Sequence, residues 1–160
     1  MNWEELCERT DLHNLPFKIE LDARGKVIMS PVKVYHSVLQ GEIAALLRLN
    51  RRDGKILTEC AIHTRKGTKV ADVAWVSPET YRTIEHEAEC SVAPEICVDI
   101  LSSSNTTDEI EEKKALYFEQ GTREFWLCDR DGCISYFDTD GEREASEYFP
   151  DFPDQVDIES

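Results

Sequence analysis

The chain has 160 residues, enough for one domain with a substantial core, and we treat residues 1–160 as a single domain. Its formal charge of -15, from 33 acidic and 18 basic residues, argues against a high-affinity, non-specific nucleic-acid binder, since such proteins carry a large basic footprint. No apolar stretch approaches the length of a membrane span, and the acidic N-terminus is unlike a secretory signal. We therefore expect a cytoplasmic protein with no membrane partner.

The first fifty residues predict a helix, a hairpin and a longer helix. Residues 2–9 are typical of a short helix, and residues 17–21 alternate with period two before a turn and a second apolar run at 27–29, which predicts a hairpin. From about residue 33 to residue 49, apolar residues recur at helical spacing. These apolar positions are Tyr35, Val38, Leu39, Ile43, Leu46 and Leu47.

Two polar residues lie close to the apolar stripe of this longer helix. Glu42 is four residues after Val38, three after Leu39 and four before Leu46, so we expect it to point toward the protein. His36 is three residues before Leu39, at the edge of the stripe. Either residue alone is more simply explained as a boundary residue with a solvated tip. Glu42 gains a chemical role only if its helix packs beside buried acidic residues.

Two short, β-rich apolar runs each contain one aspartate. Asp72 lies within residues 70–76 and Asp99 within residues 95–101, and both runs predict strands that are buried on both faces. Burying a carboxylate costs several kcal/mol or more unless another group offsets the charge. We therefore expect Asp72 and Asp99 to face each other across neighbouring strands and to share a cation.

The remaining segments predict two hairpins and a packed tail. Residues 54–62 predict a strand that forms a hairpin with the Asp72 strand, joined by a basic, glycine-containing turn. Residues 77–93 predict a surface connection or a short irregular helix. Residues 123–129 and 133–137 predict a second hairpin. The tail is expected to pack three apolar side chains back on the body, namely Phe149, Phe152 and Val156.

A helix follows the Asp99 strand and carries two candidate lysines. Thr106 and Glu109 have capping-box spacing, and Gly121 ends the helix after about residue 120. Lys113 and Lys114 both lie beside its apolar stripe, and periodicity does not choose between them. Although such a lysine is ordinarily a surface residue with its stem on the core, this helix could return an ammonium group to the carboxylates.

Two carboxylates on adjacent strands, with a lysine nearby, form an all-oxygen site suited to Mg²⁺ or Mn²⁺. Such a metal ion lowers the pKa of an attacking water and neutralises charge on a phosphate, which fits phosphodiester hydrolysis. A zinc hydrolase is less well supported, because the sequence has no histidine-rich set of ligands. A covalent mechanism is also less well supported, because no serine or cysteine has a credible base and an elbow motif.

Three sequence blocks, at residues 71–76, 93–104 and 112–129, resemble the Uma2 family, a large group of bacterial proteins also known as the domain of unknown function DUF820. The family is assigned to the PD-(D/E)XK nuclease superfamily. The resemblance covers most of the chain and implies an α/β (α+β) restriction-endonuclease-like fold, in which helices flank a central mixed sheet behind an N-terminal hairpin. It also implies a nuclease acting on nucleic acid, DNA in the first instance, and a possible homodimer. The acidic net charge leads us to expect weak affinity for that nucleic acid.

The resemblance also assigns site residues. Asp72 matches the aspartate of the family's P-D pair, Asp99 matches its second acid, and Lys113 matches its helix lysine. The superfamily's usual lysine slot, two residues after the second acid, holds Leu101 here, so Lys113 would serve from the helix. His36 and Glu42, the second of these more loosely, correspond to a histidine and an acid of the first long helix. The sites implied are Asp72 and Asp99 for the metal, with Lys113 and Glu42 as catalytic residues.

Two other functions fit the sequence. One is a catalytically inactive interaction module that keeps the fold, which the acidic charge and Leu101 favour. The other is a metal-dependent hydrolase of a small phosphate compound. Two basic clusters discriminate this hydrolase from a nuclease, because they form a track for a polynucleotide backbone only if they flank the acids. The clusters are Arg65, Lys66 and Lys69, and Arg48, Arg51, Arg52 and Lys55.

Overall fold

The computed structural model describes residues 1–159, in which helices flank a six-stranded mixed sheet and a separate two-stranded hairpin. The helices are α1 (Trp3–Cys7), α2 (Val34–Asn50), α3 (Pro78–Ile84) and α4 (Thr107–Glu119), with a 3₁₀ turn at Thr10–Leu12. The strands are β1 (Phe17–Leu21), β2 (Val27–Pro31), β3 (Lys55–Thr64), β4 (Gly67–Val76), β5 (Ile96–Ile100), β6 (Glu124–Cys128), β7 (Ile134–Asp138) and β8 (Gly141–Arg143). The predicted α/β class, mixed sheet and N-terminal hairpin are confirmed.

The strand order of the central sheet is β3-β4-β5-β6-β7-β8. β5 and β6 run parallel, because α4 crosses from the end of one to the start of the other, and the other neighbouring strands are antiparallel. β1 and β2 pair only with each other in the described chain, and β1 lies against β4. This arrangement places the hairpin against β4, which carries Asp72 in its middle, and begins α4 shortly after the end of β5 that carries Asp99.

Each face of the sheet has its own apolar core. On one face, α2 packs its buried residues Leu39, Ile43 and Leu47 against alternate residues of the central strands. On the other face, α3 and α4 cover the sheet through residues such as Ile84 and Tyr117. Because both faces are covered, all five residues of β5 are buried, as the apolar run predicted.

Local signals in the sequence account for the helix ends around the site. The Thr106 side chain accepts a hydrogen bond from the Glu109 amide and begins α4, and Gly121, with a φ of 108°, follows its end. Ser77 caps α3, and Pro78 occupies its first position. In the part of the chain that the structure describes, no helix combines the length and hydropathy needed to cross a bilayer.

Candidate active site

Asp72 and Asp99 are opposite each other at the point where β4 and β5 stop pairing. The ladder ends at Val73 with Val98, and one further step of the same register brings the two aspartates together. Asp72 is fully buried and Asp99 is 2% exposed. Asp72 Oδ2 accepts a hydrogen bond from the Ile100 amide at 2.7 Å, and Asp99 Oδ1 accepts one from the Asp72 amide at 3.2 Å. The two strands therefore hold the carboxylates side by side, as we expected.

The pairing of β3 with β4 is interrupted at the same level of the sheet. Glu59 stands opposite Asp72 but does not pair with it, and its φ of 53° is unusual for a residue other than glycine. The Gln40 side chain donates to both the Asp72 carbonyl oxygen and Glu59 Oε1, each at 2.8 Å. Leu57 and Cys60, three residues apart, consequently face the same core, which a regular strand does not allow. The interruption between β3 and β4 therefore lies at the level of the buried Asp72.

Lys18 lies between the two carboxylates. Its Nζ atom is 3.0 Å from Asp72 Oδ1 and 3.5 Å from Asp99 Oδ1, and its side chain is 12% exposed. Burial acts to lower the pKa of Lys18, but the charges of Asp99 and Asp72 outweigh it and raise this pKa well above its ordinary value. Burial likewise acts to raise the pKa of Asp72, yet Lys18 and His36 hold it below its usual range.

Lys113 reaches the same cluster from α4. Its Nζ atom is 2.7 Å from Glu20 Oε2, 3.2 Å from the Val70 carbonyl oxygen and 3.6 Å from Asp99 Oδ2. Lys114 instead pairs with Glu111 at 3.0 Å. The helix therefore returns Lys113, rather than Lys114, to the carboxylates, in agreement with the residue that the family resemblance selected.

Glu20 anchors Lys113 from the hairpin. One carboxylate oxygen, Oε2, contacts Lys113 and also accepts a hydrogen bond from the Val70 amide at 2.7 Å. Burial acts to raise the pKa of Glu20, but the charges of Lys113 and Lys18 and the bond from Val70 lower it overall. The cluster thus alternates two ammonium groups with three carboxylates.

His36 also belongs to this cluster. It lies in the first turn of α2, is 5% exposed, and places Nε2 at 3.2 Å from Asp72 Oδ2. Within residues 1–159 its Nδ1 atom has no hydrogen-bond partner. The interpretation of His36 as a solvated boundary residue is wrong, because the inward stripe of α2 includes it.

Glu42 lies outside the site, and the expectation that it points toward the protein is wrong. Its residue is exposed, whereas α2 buries His36, Leu39, Ile43 and Leu47. At 100° per residue, Glu42 is about a quarter-turn away from the centre of that stripe. The error came from counting Val38, which is 39% exposed, as part of the apolar face.

Sequence reasoning missed Lys18 and Glu20 as site residues. The period-two pattern of β1 places both on one face of a hairpin, and charged residues on such a face usually meet water. Their alternation with the apolar positions was visible in the sequence. The packing of that face over β4, which turns the charges inward, was not.

The donor set fits a single hard cation with few protein ligands. Asp72 Oδ1 and Asp99 Oδ2 are buried and receive no hydrogen bond from the described residues, although each lies near an ammonium nitrogen. No group of three or more histidine, cysteine, aspartate or glutamate side chains in residues 1–159 could hold a metal by itself. Mg²⁺ commonly uses one or two carboxylates and completes its shell with water and phosphate oxygens. Asp72 and Asp99 are the residues that could hold it.

All members of the cluster except Asp72 line an open cleft of about 560 Å³ between the β1–β2 hairpin and α4. Lys18, Asp99 and Lys113 line it, together with the loop before α4. Its rim is acidic on the side of α4, where three exposed or partly exposed carboxylates line it. These are Asp108, Glu109 and Glu112.

The basic clusters noted in the sequence lie differently around this cleft. Lys69 lines it, whereas Arg65 pairs with Glu119 at 2.9 Å and Lys66 pairs with Glu112 at 3.3 Å. The Arg48 to Lys55 cluster begins in the last turn of α2 and ends at the start of β3, whereas His36 is in the first turn of that 17-residue helix. At 1.5 Å per residue, roughly 18 Å of helix separates Arg48 from His36. This second cluster therefore does not line the cleft.

A six-stranded mixed sheet flanked by helices, with a separate N-terminal hairpin, is the restriction-endonuclease-like fold that the sequence predicted. The family model Uma2, described as "Putative restriction endonuclease", matches residues 3–159. The chain therefore belongs to the Uma2 family.

One solved structure is similar over nearly the whole chain. It is described as "a putative nuclease belonging to DUF820 from Anabaena variabilis ATCC 29413" and has a TM-score of 0.70 at 15% sequence identity. The match covers 98% of this chain and 94% of that one, and at this identity it establishes the fold alone. A comparison with curated proteins gave no significant match.

Proposed function

We propose that this protein is a metal-dependent endonuclease that hydrolyses phosphodiester bonds of nucleic acid, DNA in the first instance, at the Asp72–Asp99 pair. The observation that carries the proposal is the placement of these two buried carboxylates side by side, with Asp99 lining an open cleft. The family description and the nuclease-fold neighbour support the same class of reaction.

Each residue of the cluster has a defined task in this proposal. Asp72 and Asp99 would hold one Mg²⁺ or Mn²⁺ ion, which supplies Lewis acidity and a more acidic bound water. Lys113, fixed by Glu20 and the Val70 carbonyl, would place a positive charge against the phosphate as negative charge develops. His36 and the Ile100 amide contact Asp72 through Oδ2 and so orient its carboxylate, and Oδ1 would be available to a bound cation.

A cleavage assay tests this proposal. Supercoiled plasmid and single-stranded DNA are incubated with Mn²⁺ and wild-type protein, Asp99→Asn or Glu42→Gln. We expect Asp99→Asn to lower the rate on the order of 100-fold or more, because it removes one carboxylate charge from the ion. Glu42→Gln is the matched control and should cleave like wild type, because Glu42 is exposed and outside the cluster.

The products of the same assay carry further information. A homodimer is part of the proposal, and it predicts linear product rather than nicked circles alone, because two sites can then act on both strands. Equal cleavage by wild type and Asp99→Asn would contradict the assignment of the site. Binding of DNA without any cleavage would favour the interaction module.

A hydrolase of a small phosphate compound is the second candidate. It is favoured by the acidic side of the cleft and by the pairing of Arg65 and Lys66 with glutamates of α4. Of the first basic cluster, Lys69 in β4 then lines the cleft without an ion pair in residues 1–159. Hydrolysis of bis(p-nitrophenyl) phosphate without plasmid cleavage, lost in Asp99→Asn, would select this alternative.

A further inference from the structure

We propose that Lys18 controls the access of the divalent cation to the Asp72–Asp99 pair, because its ammonium group occupies the position between the carboxylates and must leave before the ion binds. This inference rests on the metal-dependent function proposed above and adds a competing cation that belongs to the chain itself.

The contacts of Lys18 define a cation position. Its Nζ atom is within 3.5 Å of one oxygen from each aspartate, and both of those oxygens lie in the buried interior. An ion bound to both carboxylates would share those oxygens, and like charges a few ångströms apart in a poorly solvated site repel strongly. The ammonium and the divalent ion therefore exclude each other.

Lys18 is better suited to move than Lys113. In the described residues, the ion pairs of Lys18 involve only Asp72 and Asp99, whereas Lys113 is also held by Glu20 at 2.7 Å and by the Val70 carbonyl. Lys18 also lines the open cleft, so its flexible four-carbon stem can carry the charge toward solvent. Lys113 therefore stays in position when the ion binds, and Lys18 moves toward the cleft.

Lys18 also offsets the charge of the carboxylates in the metal-free protein. Two buried carboxylates without a counter-ion would oppose folding, and Lys18 supplies the missing charge. The same contact weakens metal binding, because the ion has to displace a paired ammonium. Lys18 therefore stabilises the metal-free protein and lowers its affinity for the metal ion.

The test is a titration of Mn²⁺ followed by the electron paramagnetic resonance signal of the free ion. Lys18→Met removes the charge at similar length, and Lys26→Met, on the same hairpin and exposed, is the matched control. We expect Lys18→Met to bind Mn²⁺ about tenfold more tightly, or better, because a competing charge is gone. Lys26→Met should change the affinity by about twofold or less, since it is exposed and screened.

A second measurement uses the wild-type protein and does not depend on the folding of a variant. Acylation of Lys18 by an amine-reactive ester is followed by mass spectrometry with and without saturating Mn²⁺. We expect faster acylation with Mn²⁺, because the ion expels the ammonium group into the cleft. Unchanged acylation while Mn²⁺ is bound would overturn the inference.

The outcomes separate this inference from the function on which it rests. Equal Mn²⁺ affinity in wild type and Lys18→Met, with binding lost in Asp99→Asn, overturns the role of Lys18 and leaves the metal site intact. Absence of Mn²⁺ binding in both proteins overturns the metal-dependent function and the inference with it. Tighter binding in Lys18→Met that also requires Asp99 supports both.

Discussion

At the residue scale, Asp72 and Asp99 combine two sources of stabilisation. Each carboxylate accepts a backbone hydrogen bond that crosses between β4 and β5, and each lies beside at least one ammonium nitrogen. Leaving a buried carboxylate uncompensated costs several kcal/mol, so these contacts are required for folding as well as useful for chemistry. The site is therefore coupled to the stability of the sheet.

The pH dependence of stability tests this coupling. The pKa of Asp72 is lower in the folded protein than its unfolded value of about 3.9. Its contribution to stability is then fully present above about pH 4 and is lost as the pH falls toward the folded pKa. We predict that Asp72→Asn is much less stable than wild type at pH 7 and that the difference shrinks toward pH 3.

Urea unfolding of both proteins at the two pH values measures this difference. Glu20 also has a lowered pKa and contributes to the acid sensitivity of both proteins, so the comparison isolates Asp72. A gap between the two free energies of unfolding that stays constant from pH 7 to pH 3 would contradict the balance of charges described here.

The sequence predicted the two acids but not their nearest counter-ion. A carboxylate inside an apolar strand is conspicuous, because the cost of burying it is large and local. Lys18 lies more than fifty residues earlier in a strand that alternates like a solvated hairpin, and only the packing of β1 over β4 brings it inward. The prediction for Glu42 was wrong because its position around the helix was misjudged. A difference of about a quarter-turn is enough to move a helical side chain out of a site.

At the element scale, the position of the β1–β2 hairpin depends on a close backbone approach. Gly67 begins β4 with a φ of 95°, and a Cβ atom there would overlap the carbonyl oxygens of Leu21 and Asp22. Glycine alone tolerates both the left-handed backbone and this contact. Because the hairpin carries Lys18 and Glu20, this turn sets the distance between those residues and the aspartates.

We predict opposite effects for alanine at two glycines. Gly67→Ala should lower the free energy of unfolding by about 1–3 kcal/mol, because it adds strain at a positive φ and pushes the hairpin away. Gly41→Ala, in the exposed interior of α2 with open space around it, should raise the free energy of unfolding by about 0.5–1 kcal/mol. Denaturant titration measures both changes, and similar values for the two variants would show that the contact at Gly67 is not needed.

The sequence predicted the order of the helices and strands better than the contacts between them. Period-two runs, caps such as Thr106 and stops such as Gly121 are local, and they placed most helices and strands within a few residues of their observed ends. The short strand β8 was not predicted. The interruption at Glu59 opposite Asp72 was not predicted, because residues 54–62 have an ordinary strand pattern. Gln40, which lies in α2, donates hydrogen bonds to the Asp72 carbonyl oxygen and to the Glu59 side chain at this interruption.

At the scale of the whole molecule, the C-terminal tail closes the core on the face covered by α2. Phe149 and Phe152 are buried and make edge-to-face contacts with Trp126, with ring centroids 5.9 and 4.8 Å apart, and Phe149 makes the same kind of contact with Trp75 at 5.6 Å. The tail was predicted to pack on the body, and the burial of these residues confirms it. Trp75 and Trp126 connect it to β4 and β6.

We predict that Phe149→Ala lowers the free energy of unfolding by about 3–5 kcal/mol, because it removes a buried aromatic side chain and leaves a cavity. Phe17→Ala is the matched control. Phe17 is 39% exposed on the hairpin, and its loss should cost about 1 kcal/mol or less. Equal losses in the two variants, measured by urea unfolding, would contradict the role of the tail as part of the core.

The central claim is that Asp72 and Asp99 form a divalent-cation site from which Lys18 withdraws. Anomalous diffraction from crystals grown with Mn²⁺ tests it most directly. The account predicts one Mn²⁺ ion at about 2.0–2.4 Å from an oxygen of each aspartate, with the Lys18 ammonium moved into the cleft. Lys18 remaining between the carboxylates, with no anomalous peak there at saturating Mn²⁺, would contradict it.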